Sequence, residues 1–377
     1  MRRRQLISSA LGLAATGPWH GVMAQGSGKI VLGQSAAFSG PAAQLGEQFR
    51  AGALLHFDGV NARGGLFGRR IELTSLDDGY EPERCAANTK ALIDKGVFAL
   101  FGYIGTPTSL AALPLATAAR LPFVAPFTGA EALRVPFNRY AFHVRASYYD
   151  ETAEIVKQLT GLGIKRIAVF YQNDSYGKAG LEGVVRALKP LQLEPVALGT
   201  VERNTVEVAA AVASIVAGKP DAVVQIGAYK GCAAFIRAVR KAGFGGTLYN
   251  VSFVGTAALA KELGADARGV VVSQVMPFPF SPLTPLAAEY LAAGKAASGA
   301  RFEANYSSIE GYVAAKVLSE GLRRGGASVS PAGLVTALES MRDVNLGGFY
   351  VDFSPTKHSG SRFVDLTILT ADGRIRR

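Results

Sequence analysis

From Lys29 onward the chain alternates short apolar runs with longer stretches whose apolar positions recur every three or four residues. "KIVLG" reads as a strand, followed by a loop and an amphipathic helix through "EQFRAGALLHFDGVNA". "RRIELTSLDD" then precedes a helix through "ERCAANTKALIDKG", "FALFG" leads into "SLAALPLATAAR", and "PFVAP" closes a first series. Strands separated by helices pair in parallel, and a parallel sheet is covered on both faces.

The series restarts around "YAFHVRASYYDETAEIVKQL". "KRIAVFYQND" precedes "AGLEGVVRALKP", "LEPVALGTV" precedes "EVAAAVASIVAG", and "DAVVQIG" precedes "CAAFIRAVRKAGF". "GTLYNVS" precedes a short helix, and "ARGVVVSQV" completes the set. "MPFPFSPLTP" breaks the rhythm and reads as a segment crossing between units. Helices through "PLAAEYLAAG", "IEGYVAAKVLSEGLRR" and "PAGLVTALESM" follow, and "GGFYVDF" with "FVDLTILTADG" is expected to form a final strand pair. Two such series imply two doubly wound α/β lobes. In open α/β sheets ligands sit beyond the carboxyl ends of the strands, so two such edges would face each other across a cleft.

Composition adds a destination. Arg2, Arg3 and Arg4 precede an apolar run from Leu6 to Ala15, and Val22–Ala24 supplies small residues for a signal-peptidase cut. Residues 1–24 are therefore expected to be an export signal, and Arg3-Arg4-Gln5-Leu6-Ile7 fits a loose twin-arginine pattern as well as an ordinary one. Without a cysteine at the cut, the expected product is exported, soluble and free of a lipid anchor. Removing the signal takes three arginines and no acid, so the formal charge of +11 falls to about +8. The bases are scattered, without an aromatic-interleaved block, which argues against nucleic acid as a partner. Cys85 and Cys232, the only two cysteines, fall in different lobes and are expected to be free, buried thiols.

Catalytic chemistry finds little footing. His56, His143 and His358 lie in unrelated segments, and there is no HExxH, CxxC or G-x-S-x-G. No catalytic residue, metal ligand or cofactor is assigned. "GSGK" at Gly26–Lys29 lacks the Ser/Thr of a phosphate loop and precedes a strand instead of following one. Asp77-Asp78 reads as a loop and cap cluster. More informative is "FGYIGTPTS", where Thr106 followed by Pro107 predicts a helix start with Thr106 as N-cap and proline at its first position. Unpaired N–H groups there would face the cleft beside the Thr106 and Thr108 hydroxyls, either as a plain capped helix start or as a grip for a carboxylate. Similar loops, "SAAFSGPAAQLG", "PFTGAEALR", "NDSYGKAG", "GAYKG" and "NVSFVG", recur at strand ends. Hydroxyls, amides and aromatics around an apolar pocket suit reversible binding.

With "SGPAAQLG", "VNARGGLFGRRIELTSLDDGYEPERCAANTKALI", "VFALFGYIGTPTSLAALPLA", "LPFVAPFTGAEALR" and "IAVFYQNDSYGKAGLEGV" in this order, the chain resembles the Leu/Ile/Val-binding protein family of ABC-importer substrate-binding components. The resemblance implies a type I periplasmic-binding fold, two parallel-sheet lobes joined by a three-segment hinge. It implies lobe 1 from 25–145 plus 276–349 and lobe 2 from 146–275 plus 350–377. It further implies carboxylate donors at Gly105, Thr106, Phe127 and Thr128, and aromatic contacts at Tyr176 and Tyr229. Leu45 stands at an aromatic position of the family, and Tyr103 is expected to add to the apolar wall. Ser252 stands where amino-acid binders of the family carry an acid for the ligand ammonium. Either Asp174 or Glu310 then supplies that charge, or the ligand is a small carboxylate lacking an α-amino group. The implied function is a monomeric, non-enzymatic periplasmic capture protein for a small carboxylate, either an organic acid or a branched-chain or aliphatic amino acid, delivered to an ABC permease. A ligand-sensing module of the same fold, and an enzyme built on it, are the alternatives.

Overall fold

The computed structural model describes residues 28–298 and 301–377, so the expected export signal lies outside the described residues. The first lobe runs β1 (Ile30–Ala36), α1 (Ala43–Ala62), β2 (Ile71–Asp77), α2 (Pro82–Asp94), β3 (Ala99–Phe101), α3 (Thr106–Ala118), β4 (Phe123–Val124) and β5 (Ala141–Phe142). Its five strands are all parallel, in the order β2-β1-β3-β4-β5.

The second lobe continues with α4 (Tyr148–Gly161), β6 (Ile167–Gln172), α5 (Ser175–Leu188), β7 (Leu198–Val201), α6 (Ala209–Ala217) and β8 (Ala222–Ile226). It is completed by α7 (Tyr229–Lys241), β9 (Thr247–Asn250), α8 (Thr256–Leu263) and β10 (Val270–Gln274). The chain then returns to the first lobe through α9 (Pro285–Ser298), α10 (Tyr306–Gly325), which packs along α1, and α11 (Pro331–Glu339). The two-stranded ladder of β11 (Val344–Asn345) and β12 (Tyr350–Val351) follows, before β13 (Asp365–Leu369) and β14 (Ile375–Arg376). β13 and β14 add antiparallel strands beside β10, so the second sheet reads β14-β13-β10-β9-β8-β6-β7.

Two expectations need correction. "GGFYVDF" and "FVDLTILTADG" do not pair with each other: β12 pairs with β11, and β13 with β10 and β14. The return to lobe 2 also does not fall at 350. Phe353 packs edge-on against Phe142, His358 stacks on the same ring at 3.8 Å, and Gly360 N–H donates to His143 O at 2.7 Å. These contacts keep the segment on lobe 1, so the third crossing follows Gly360. The other two lie between β5 and α4 and after β10. Arg134 ties the first crossing to the lobe-1 segment that enters the third, donating to Ser359 Oγ at 3.0 Å and to the Arg145 carbonyl at 3.1 Å.

β1 lies between β2 and β3, and β6 between β7 and β8. At these switch points successive loops leave the sheet in opposite directions and open a crevice. Both crevices face the other lobe. Hydrophobic cores made of Leu32, Phe101 and Phe49 on one side and Val169, Val224 and Phe235 on the other hold those edges rigid.

Candidate functional site

The loop after β3 is fastened to the loop after β4. Ile104 bridges Phe127 in parallel, Gly105 N–H donates to Phe127 O at 3.2 Å, and Phe127 N–H donates to Tyr103 O at 2.7 Å. This extended pairing carries the chain to Gly105, whose φ of 95° is open only to glycine without strain. A Cβ there would meet the Tyr80 ring at 2.2 Å. Helix α3 consequently begins at Thr106 with Gly105 as N-cap and Pro107 as its second residue, one position earlier than the hydroxyl-cap expectation. The Thr106 side chain is thereby released from capping. Its hydroxyl lies 2.6 Å from that of Thr128, which also accepts Ala130 N–H at 3.2 Å and approaches Tyr148 Oη at 3.4 Å. The Thr108 hydroxyl is turned back to the Ile104 and Gly105 carbonyls and is not part of this group. First-turn N–H groups and the positive end of the α3 dipole complete a neutral grip for an anion.

An aromatic wall stands opposite. Phe253, from the loop after β9, has its ring centroid 4.5 Å from Tyr176, 5.6 Å from Phe127 and 5.9 Å from Tyr80. Tyr148 adds a ring 5.4 Å from Tyr176. Phe253 and Tyr176 belong to lobe 2, Phe127 and Tyr80 to lobe 1, so the wall spans a closed cleft. Leu45 on α1 packs against Gly255, where a Cβ would come within 2.3 Å of Leu45 Cδ2. Burial pushes the Tyr148 phenol up to about 12 and holds those of Tyr80 and Tyr176 well above the ordinary phenol range, so all three remain neutral donors. At the mouth, Glu81 of lobe 1 meets Arg203 at 2.8 Å and Asn204 at 2.7 Å from lobe 2.

The hinge end is charged. Arg145, only 1% exposed, lies over the Phe127 ring at 4.7 Å and donates to Ser252 Oγ. Its Nη2 is 3.5 Å from Glu151 and its Nε 3.6 Å from Glu310. Glu151 accepts Ser252 N–H at 2.8 Å, Ser252 Oγ at 3.0 Å and Ser273 Oγ at 2.6 Å. Burial works against the guanidinium charge, but Glu310 and Glu151 outweigh it and keep Arg145 protonated. A concavity of about 1030 Å³ lies elsewhere: an open groove between α1, α8 and the C-terminal strands, away from these convergent groups.

A sequence profile described as periplasmic binding protein matches residues 29–374. The chain belongs to this family. The binding protein is similar to a possible leucine/isoleucine/valine-binding protein from Rhodopirellula baltica SH 1, with 36% identity, a TM-score of 0.89, and 93% of this chain and 96% of that one covered. It is 23% identical over 344 residues to the leucine-specific-binding protein of Salmonella typhimurium, which is 90% of this chain and 89% of the relative. An amino acid binding protein of Pseudomonas aeruginosa is 26% identical over 251 residues, 65% of this chain and 66% of that protein. These relatives place the binding protein in the Leu/Ile/Val-binding group that its sequence resembles. The family and its fold are those of substrate-binding proteins. Among the described residues, no helix is long and apolar enough to cross a membrane.

Of the residues singled out from the sequence, Gly105, Thr106, Phe127, Thr128, Tyr176, Leu45 and Ser252 gather at the cleft of this binding protein. Tyr229 lies at the rim, its phenol beside the Gln44 backbone of lobe 1. Tyr103 does not join them. Its ring packs 4.9 Å from Phe123 inside lobe 1 and its phenol lies 3.1 Å from Thr89 Oγ1, because alternation along the extended segment sends it to the far face of the sheet. Cys85 and Cys232 are both buried and free. Sequence reasoning missed Tyr80, Arg145, Tyr148, Glu151 and Phe253. The available signal for the charged pair was Arg145 and Glu151 flanking "ASYYD" next to a predicted crossing.

Proposed function

We propose that the protein captures a small carboxylate in the inter-lobe cleft and delivers it, unreacted and as a monomer, to an ABC permease on the periplasmic side of the membrane. The observation that carries this reading is the convergence of the Thr106–Thr128 hydroxyl pair and the α3 N-terminus with a cross-lobe wall of Tyr80, Phe127, Tyr148, Tyr176 and Phe253. Neutral donors can hold an anion without the desolvation cost of a buried counter-charge. The wall rewards an apolar ligand body with ~25 cal/mol per Å² buried. The names of the similar proteins, leucine-specific and leucine/isoleucine/valine-binding, support a ligand of that size and polarity.

A melting-temperature screen of amino acids and organic acids tests the reading. A cognate ligand at 100 times its Kd stabilises the folded protein by about 2.7 kcal/mol, which raises the midpoint by several degrees. A flat response across both classes would remove the capture function.

A further inference from the structure

A separate pocket lies on lobe 1, towards the opposite end of α1 from the cleft. Leu45 meets the cleft near the start of that helix, and His56 stands about three turns further along it. There His56 and Val60 of α1 and Arg63 at its C-cap line a space of about 280 Å³ together with Lys316, Ser319 and Arg323 of α10. Leu66, from the loop after α1, and Leu346, beside β11, complete its apolar lining. The volume suits a small ligand, since ligand pockets commonly span roughly 300–1,000 Å³.

The polar groups of this pocket can all donate, and its acids are already occupied. His56 and Ser319 are 8% and 7% exposed, and His56 Nε2 and Ser319 Oγ have no hydrogen-bond partner among the described residues. A buried polar group left unpaired carries a free-energy cost that a ligand can remove. Glu320, the carboxylate in the lining, is held by Arg323 and by Arg324 at 2.7 Å. Glu289 of α9 is held by Lys316 and accepts Tyr312 Oη at 2.8 Å. Lys316 and Arg323 are thereby compensated, whereas Arg63 makes no ion pair among the described residues.

The imidazole of His56 packs edge-on against Tyr312, with ring centroids 5.2 Å apart. Burial lowers its pKa to about 4; Glu289 opposes the fall, and Lys316 and Arg63 add to it. The ring is therefore neutral at pH 7 and carries one N–H.

We infer that this pocket is a second binding site, outside the cleft, for a small organic monoanion: a carboxylate on an apolar body. The uncompensated Arg63 guanidinium matches one negative charge, and the His56 and Ser319 side chains are donors for the carboxylate oxygens. Val60, Leu66 and Leu346 receive the apolar body. A dianion such as phosphate would bring a second charge near Glu320 and Glu289 with no free cation to meet it.

Titration with benzoate, benzamide and inorganic phosphate, followed by NMR of the histidine-ring nitrogens and by calorimetry, tests this. Benzoate is expected to shift the His56 ring resonance saturably, while benzamide and phosphate at the same concentration leave it in place. Arg63→Ala, a change at an exposed side chain, is expected to weaken benzoate at this site by about fivefold, the upper end for an exposed ion pair. Thr106→Ala alters the cleft and is expected to leave the His56 shift as in wild type, so the two sites are read separately. A His56 resonance that ignores benzoate, or moves equally with benzamide or phosphate, would overturn the assignment. So would an unchanged benzoate affinity in Arg63→Ala, or loss of the His56 shift in Thr106→Ala.

Discussion

Thr106 shows how one residue changes role when its neighbour takes over the cap. With Gly105 in the left-handed region, the Thr106 hydroxyl is free to pair with Thr128 at 2.6 Å, and both are fully buried. Two hydroxyls sharing one hydrogen bond leave a donor for an incoming carboxylate oxygen. Thr106→Ala is expected to weaken binding of the cognate carboxylate by ~1.5–3 kcal/mol, the range for a hydrogen bond to a charged group. Calorimetry checks this, and an unchanged dissociation constant would take Thr106 out of the site. The residues hardest to find from the sequence were the buried charges. Arg145 and Glu151 break no hydrophobic pattern, because polar positions at loop ends and on helices ordinarily read as solvent-facing. Only the fold brings Glu310, distant along the chain, to 3.6 Å from the same guanidinium that Glu151 approaches from the next helix.

Among the elements, the β3–α3 connection carries the most constraint. The ladder step Ile104–Phe127 fixes the loop, and Gly105 turns it into the helix while leaving room for the Tyr80 ring. Gly105→Ala is expected to lower the unfolding free energy by about 1–3 kcal/mol from backbone conformation alone, with the Tyr80 clash adding to it. Urea unfolding measures the loss, and wild-type stability in the variant would contradict the geometry. Elements of this kind were mostly legible. "FALFG" and the helix after it are where periodicity puts them, because strand and helix periods are local properties. Pairing is not local, which is why "GGFYVDF" looked like the partner of "FVDLTILTADG" and is instead held on lobe 1 by β11 and Phe142. The misplacement of Tyr103 has the same origin: the face of an extended residue depends on its register in the sheet.

At the scale of the whole molecule, the lobes are legible from the repeated strand–helix rhythm, and the closed cleft is not. Closure is seen only in cross-lobe contacts: Phe253 against Tyr80 and Phe127, Leu45 against Gly255, and Glu81 against Arg203 and Asn204. The ion pair is half-exposed and worth only about 0.2–1 kcal/mol. Most of the closing force therefore falls to ligand and aromatic wall, and a ligand shifts the lobes only by its differential affinity for the closed arrangement. Burial raises the thiols of Cys85 and Cys232 far above the ordinary range, so labels will go to cysteines placed on the surface. The most direct measurement is the distance distribution between spin labels at Glu83→Cys and Glu207→Cys, exposed positions on either side of the cleft mouth. Saturation with the carboxylate that raises the melting temperature should shorten and narrow that distribution, and its primary amide at the same concentration should leave it unchanged. A distribution that ignores the acid, or closes equally for the amide, would contradict capture of a carboxylate between the lobes.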